Sequence, residues 1–401
     1  MNKTLLMLTT AAYITFAGSA WAVDIKVGAL MGVTGPLANF IPPILNGAKL
    51  AEADVNKGGG LLDGQTMKLV VADSQASAQP SVDAAGKLVN IENVVAIMGA
   101  LSSGATIAAA NAVAIPNGVL QVSPTATAPS MTNLEDNDYV YRIVPSDNYQ
   151  GKVLARAVLE EGFKKVAITY VNNDYGVGIG NTFKVEYENL GGVVTKFSKH
   201  EDKKNSYRGE LATLASSGAD ALVVIAYAAG SGAKIVKQSL ENGFFEKFIG
   251  TDGLRDDILI QQIGAVALAS SFFTSPSSPS SNAATEAFHA RFDETFGGGS
   301  DKPFVDQAYD ATMLIALAIQ QAGSTDRAAV KNALRSVANA PGEIVGPGEW
   351  AKARELISAG KDINYEGVSG AHEFDENGDV AGYIGKYIVE GDSYKQTKIF
   401  N

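Results

Sequence analysis

Residues 94–114 read VVAIMGALSSGATIAAANAVA, and they contain one βα unit. VVAIMG (94–99) is a continuous apolar run of strand length that ends at glycine, the pattern of a strand buried on both faces. ATIAAANAVA (105–114) is alanine-rich and reads as a helix. Ser102, Ser103 and Gly104 stand at the junction between them. The same unit recurs on either side. Upstream, DIKVGALM (24–31) and MKLVVAD (67–73) read as strands. Helices are expected over 42–57, closed by Gly58-Gly59-Gly60, and over 80–92. Downstream, VLQVS (119–123) is a further strand. After Arg142 the rhythm restarts. Helices are expected over 149–162, 176–190, 206–217 and 230–242, with strands over 165–171, 193–199, 221–227 and 247–252. Strands that alternate with helices of this length predict parallel βαβ units, here in two blocks of similar size.

YVYRIVPSD (139–147) reads as a crossover between the blocks, and the Ser/Pro-rich SFFTSPSSPSSNAA (271–284) as a second, linker-like break. Helices follow over 285–296, 304–322 and 326–337, and the tail from 373 reads as short strands joined by turns. Two α/β lobes joined by more than one crossover leave a cleft, and parallel sheets bind ligands at the carboxyl ends of their strands.

Composition narrows the function. The chain has 401 residues, 46% hydrophobic and 19% charged, enough for a sizeable core and two domains. A formal net charge of −11 and the absence of a long basic run argue against nucleic acid or an anionic membrane as partner. There is no cysteine, so no disulfide, thiol nucleophile or Cys-based metal site. His200, His289 and His372 lack metal-ligand spacing, and each reads as a surface residue; no metal or cofactor is expected. At the N-terminus Lys3 precedes the apolar run 5–18, too short to span a bilayer well, and Ala20-Trp21-Ala22 places small residues two apart. A signal peptide over 1–22 and a periplasmic mature chain of net charge −12 are expected; the competing reading is an N-terminal anchor.

Three motifs dissolve on inspection. Gly176-Val177-Gly178-Ile179-Gly180 suggests a dinucleotide fingerprint, but its third glycine position, 181, is Asn. Asp375, Asn377 and Asp379 resemble the start of a calcium loop, but Val380 and Lys386 stand where that loop needs Gly and Glu; the segment reads as a turn. A Ser–His–acid triad has no GxSxG context, so an enzyme is unsupported. What remains is a set of small polar residues just after strands: Ser102 and Ser103, then Thr125 and Thr127. Loop N–H groups and hydroxyls there suit a small carboxylate, and the same residues also suit helix capping; spacing alone supports both readings equally.

Over almost the whole mature length the sequence resembles the leucine/isoleucine/valine-binding proteins, type I periplasmic binding proteins of branched-chain amino acid ABC transporters. The resemblance is carried by DIKVGALMGVTGPLANF (24–40), NGAKLAEADVNKGGGLLDGQ (46–65), GALSSGAT (99–106), VSPTATAPSMT (122–132), YVNNDYGVGIG (170–180) and FIGTDG (248–253). It implies an α/β fold of two Rossmann-like lobes joined by three hinge crossovers around a ligand cleft. The lobes would be 23–143 with 276–372, and 144–275 with 373–401. It also implies a monomer that serves a membrane permease and carries a small amino acid or related carboxylate. By the same resemblance Ser103 binds the α-carboxylate, joined by Thr125, Ala126 and Thr127. Tyr175 and Tyr227 close from the second lobe, Asp252 meets the α-ammonium, and Phe40 and Phe304 line the side-chain pocket. The chain departs from the family in lacking a cysteine pair, in carrying Asp rather than Glu at 252, and in a longer segment over 341–371. Asp306 reads two ways, as a second acid on the pocket wall or as a solvated helix start. Rival functions are a receptor for an aromatic acid, short amide or γ-amino acid, a periplasmic sensor, and an enzyme of this fold.

Overall fold

The structure, a computed structural model, describes residues 24–279 and 283–401. The signal peptide expected over 1–22 lies outside the described residues. From the N-terminus the elements are β1 (Ile25–Met31), α1 (Ile41–Lys57), β2 (Met67–Asp73), α2 (Ala78–Asn90), β3 (Ala96–Gly99), α3 (Ser103–Ala109), β4 (Leu120–Ser123) and β5 (Val140–Arg142). The five strands form one parallel sheet in the order β2-β1-β3-β4-β5. Next come α4 (Asp147–Glu160), β6 (Lys165–Val171), α5 (Asp174–Asn189), β7 (Val193–His200), α6 (Arg208–Ala215), β8 (Ala221–Ile225), α7 (Ala233–Glu241), β9 (Phe248–Gly250), α8 (Asp257–Ile263) and β10 (Phe272–Ser277). Five of the seven strands in the second sheet run parallel as β7-β6-β8-β9-β10, the same topology as the first.

The chain then returns to the first sheet. It runs through α9 (Ala283–Phe296), α10 (Val305–Ala322), α11 (Arg327–Ala338), β11 (Glu343–Val345), α12 (Trp350–Ser358), β12 (Ile363–Gly367) and β13 (Gly370–Ala371). α10 is buried nearly end to end and packs along α1, with α11 against it. Finally β14 (Tyr383–Glu390) and β15 (Ser393–Phe400) add antiparallel strands to the second sheet beside β10. The chain thus passes between the sheets three times: after β5, between β10 and α9, and before β14. Arg142, wholly buried, ties the first passage to the third. Its guanidinium pairs with Asp379 at 2.7 Å and donates to the carbonyls of Thr127 and Ala128.

The structure corrects several expectations. Phe272–Ser277 is not a linker: it is a strand inside the second sheet, with Phe272 and Phe273 buried. Its serines and proline look like loop chemistry, but neighbouring strands on both sides satisfy its backbone. The segment 341–371 builds a small three-stranded sheet of its own with α12. This unit is anchored on the buried carboxylate of Asp310, which accepts from the Tyr365 hydroxyl and from Ser369. His200 and His372 are not surface residues but are 3% and 1% exposed. His200 lies between the hydroxyls of Thr169 (2.7 Å) and Ser231 (2.9 Å), and burial pushes its pKa down to about 4, so it is neutral. His372 stacks on Tyr365. Residue spacing carries no information about which of these rings a neighbouring element covers. The glycines at 176–180 lie inside α5, where they permit contact. A Cβ on Gly176 would stand 2.1 Å from the Val171 carbonyl oxygen, and one on Gly178 2.6 Å from Pro129 of the first lobe. Among the described residues no helix is long and apolar enough to cross a membrane.

Candidate ligand-binding site

In both sheets strand order reverses beside the first strand, between β1 and β3 and between β6 and β8. Crevices at the carboxyl ends of strands at such a switch point are where open α/β sheets bind ligands. The two crevices face each other across one small cavity. The first sheet supplies Leu37, Phe40 and Ile44 from the segment after β1, Leu101 and Ser103 after β3, and Thr125 and Thr127 after β4; Phe304 joins them from the start of α10. The second sheet supplies Tyr175 after β6, Tyr227 after β8, and Asp252 and Gly253 after β9.

Eight of the nine residues singled out from sequence therefore line one cavity: Phe40, Ser103, Thr125, Thr127, Tyr175, Tyr227, Asp252 and Phe304. Ala126 does not. Its side chain packs in a small cluster with Ala110, Met131 and Val140, and its N–H donates to Ser123 Oγ. Asp306 is also off the wall, and neither expectation for it holds. It is buried and bonded to His289 (2.9 Å) and to the Ser278 hydroxyl, because α9 packs across the start of α10.

Asn173 caps α5 by accepting from the Gly176 N–H, which fixes Tyr175 in the first turn. The Tyr175 ring stacks on Tyr227 at 5.3 Å, and its hydroxyl reaches Thr251 Oγ1 (2.6 Å) and Asp252 Oδ1 (3.0 Å). Gln150 of α4 also donates to Asp252 Oδ1 at 3.0 Å. Burial raises the Asp252 pKa to about 6 against these lowering donors. Opposite, Ser103 Oγ accepts from the Ala128 N–H, and Thr125 donates its hydroxyl to the Leu101 carbonyl. Thr127 Oγ1 is buried and has no hydrogen-bond partner. Phe40 and Phe304 meet at 6.5 Å and close the apolar end with Leu37 and Ile44. The wall thus carries a carboxylate, several hydroxyls and an apolar floor, but no Lys or Arg.

Sequence reading missed Leu37, Ile44, Leu101 and Gly253 on the wall, and Gln150 and Asp147 behind it. Asp147 follows the N-cap Ser146, where an acid is ordinary helix-start chemistry, and its burial has no sequence signal.

Two α/β lobes closed over a polar-and-apolar cavity define a type I periplasmic binding protein. Residues 24–364 match the periplasmic binding protein family, and the chain belongs to it. The Leu/Ile/Val-binding protein BraC3 of Rhizobium johnstonii is 31% identical over 364 residues, 89% of this chain and 95% of the relative. The branched-chain amino acid transporter substrate-binding protein LivJ of Streptococcus pneumoniae, solved with isoleucine, superposes with a TM-score of 0.79 at 25% identity; the match covers 94% of this chain and 99% of that one. A solute-binding protein of R. palustris solved with benzoate shares the fold, with a TM-score of 0.77 at 19% identity over 94% and 96% of the two chains.

Proposed function

We propose that this chain is the substrate-binding component of an ABC importer, that it captures a small hydrophobic amino acid between its lobes, and that it delivers that ligand to a membrane permease. The observation that carries the ligand class is Asp252, a buried carboxylate on a wall that offers it no cation. An ammonium group supplies the missing charge. The hydroxyls of Ser103 and Thr127 suit the carboxylate of the same ligand, and Leu37, Phe40, Ile44 and Phe304 suit an apolar side chain. The Tyr175–Tyr227 stack closes from the second lobe. In this reading the lobes are 23–143 with 276–372 and 144–275 with 373–401, hinged at the three passages, and the protein works as a monomer. Membership of the family supports an extracytoplasmic location, with residues 1–22 removed on export. The protein binds and releases its ligand without transforming it.

The test is a thermal-shift screen of the mature protein against amino acids and small carboxylates. Leucine, isoleucine or valine should raise the melting temperature, by a stabilisation of about 2.7 kcal/mol at a hundred times Kd. A screen in which only carboxylates without an amine shift the transition would replace the amino acid by an aromatic or aliphatic acid.

A further inference from the structure

Asp147 opens α4 and takes no part in the roles described so far. It is wholly buried, and neither of its carboxylate oxygens has a hydrogen-bond partner. Its N–H donates to the Thr127 carbonyl at 2.8 Å, a carbonyl that also accepts from Arg142, and Gln150, one turn along α4, donates to Asp252. Burial, then the charge of Asp252, raise the Asp147 pKa; the Thr127 side chain and Arg142 lower it. The Arg142 guanidinium is already committed to Asp379 and to the carbonyls of Thr127 and Ala128. Thr127, on the cavity wall, is close enough to favour the Asp147 anion, yet its Oγ1 makes no bond of proper geometry. Around Asp252 stand Tyr175, Gln150 and Arg255, and Arg255 lies 3.6 Å over the Tyr387 ring, off the cavity wall. Tyr175 and Tyr227 feel the charge of both acids, and Tyr227 that of Asp202 as well. Two buried carboxylates therefore share one another's field, with no uncommitted cation on the cavity wall beside them.

We infer that Asp147 is a specificity-determining residue of this site: with Asp252 it forms a carboxylate pair that holds one proton, and gives that proton up when the ammonium group of a ligand enters. The inference rests on the amine-binding reading above. The exchange balances. The protonated pair and R–NH3⁺ become the doubly ionised pair with R–NH3⁺ bound, and one H⁺ passes to solvent. Asp147 is the holder of the proton. Burial, and then the charge of Asp252, push its pKa well above the usual carboxylate range, while Tyr175 and Gln150 favour the Asp252 anion. The sign follows. A raised pKa keeps the proton on the free protein, so ligand must displace it at low pH. Affinity for an amine therefore rises with pH, about tenfold per unit where one proton leaves per ligand, and flattens once the pair is already ionised. A carboxylate without the amine displaces no proton, and higher pH only adds negative charge against it.

Calorimetric titration of the mature protein with L-leucine at one pH, in phosphate and in Tris, counts the protons released. Isocaproate, leucine without its amine, is the control. A count close to one for leucine and near zero for isocaproate is expected. In Asp147→Asn the leucine count should fall towards zero while isocaproate binds as it does to the wild type, because a neutral amide replaces a neutral acid. Leucine heats that do not depend on the buffer would overturn the inference and leave the amine reading standing. Isocaproate binding to the wild type as tightly as leucine would overturn both.

Discussion

In the first lobe, β3 and β4 run into Ser102-Ser103 and Thr125-Ala126-Thr127; in the second, β8 and β9 run into Tyr227 and Asp252. The strand orders are the same, so both sets of strand ends arrive at the same place in their own sheet. The chemistry they bring is opposite: hydroxyls and an apolar floor on one side, acid and stacked tyrosines on the other. Shared topology explains why the residues converge. It does not explain why one half suits an anion and the other a cation. On the proposed reading a zwitterion contacts both lobes at once. Its binding then stabilises the closed arrangement by contacts that an open one lacks. Small residues make the approach close enough: a Cβ on Gly104 would stand 2.7 Å from Asp174 Oδ2 across the cleft.

This contrast between the lobes can be broken at its most charged point. Asp252→Asn should weaken an amino acid by about 3–5 kcal/mol, because the buried ammonium loses its partner. The same variant should barely change the des-amino analogue. Titration of both proteins with both ligands forms a double-mutant cycle, and a coupling energy near zero would remove Asp252 from the site. On the hydroxyl side, Ser103→Ala and Thr127→Ala should each cost about 1.5–3 kcal/mol of affinity, for amino acid and des-amino acid alike. Circular dichroism should be unchanged. If both alanine variants bind as wild type, neither hydroxyl contacts the ligand. The smallest effect belongs to the rim, where Lys302 of the first lobe bridges Asp257 of the second at 2.8 Å, each about one-third exposed. Lys302→Met should change affinity by about 0–1 kcal/mol, since solvent screens such a pair. A larger loss would show that the rim, rather than the two chemistries of the cavity, holds the lobes together.

Much of this was legible in the linear chain, for local reasons. β6 stands at the residues that the sequence marks, Lys165–Val171, because a strand covered on both faces is apolar nearly throughout; β2 also stands where marked, Met67–Asp73, as a half-buried edge strand. Spacing alone left the site loops open between an anion site and helix capping, and the resemblance to the family chose between them. Phe272–Ser277 was misread for the converse reason: its partners β9 and β14 come from distant parts of the chain, and only they make Ser275 and Pro276 a strand. α8 and α12 were not anticipated from sequence, being short helices of seven and nine residues with little periodic signal.

Sequence by itself determined the alternation of strands and helices, the two-block plan, the absence of thiol chemistry and the family's polar strand ends. Each of these follows from residue type, local period or motif. Tertiary structure decided which acids are buried. Asp252 takes a hydrogen bond from Gln150, 102 residues away in the chain, and Asp147 lies in the field of Asp252. It also decided that Asp306 answers to His289 rather than to a ligand, and that His200 is neutral. Charge state depends on what displaces water around a group, and in this protein that is supplied by segments far away in the chain.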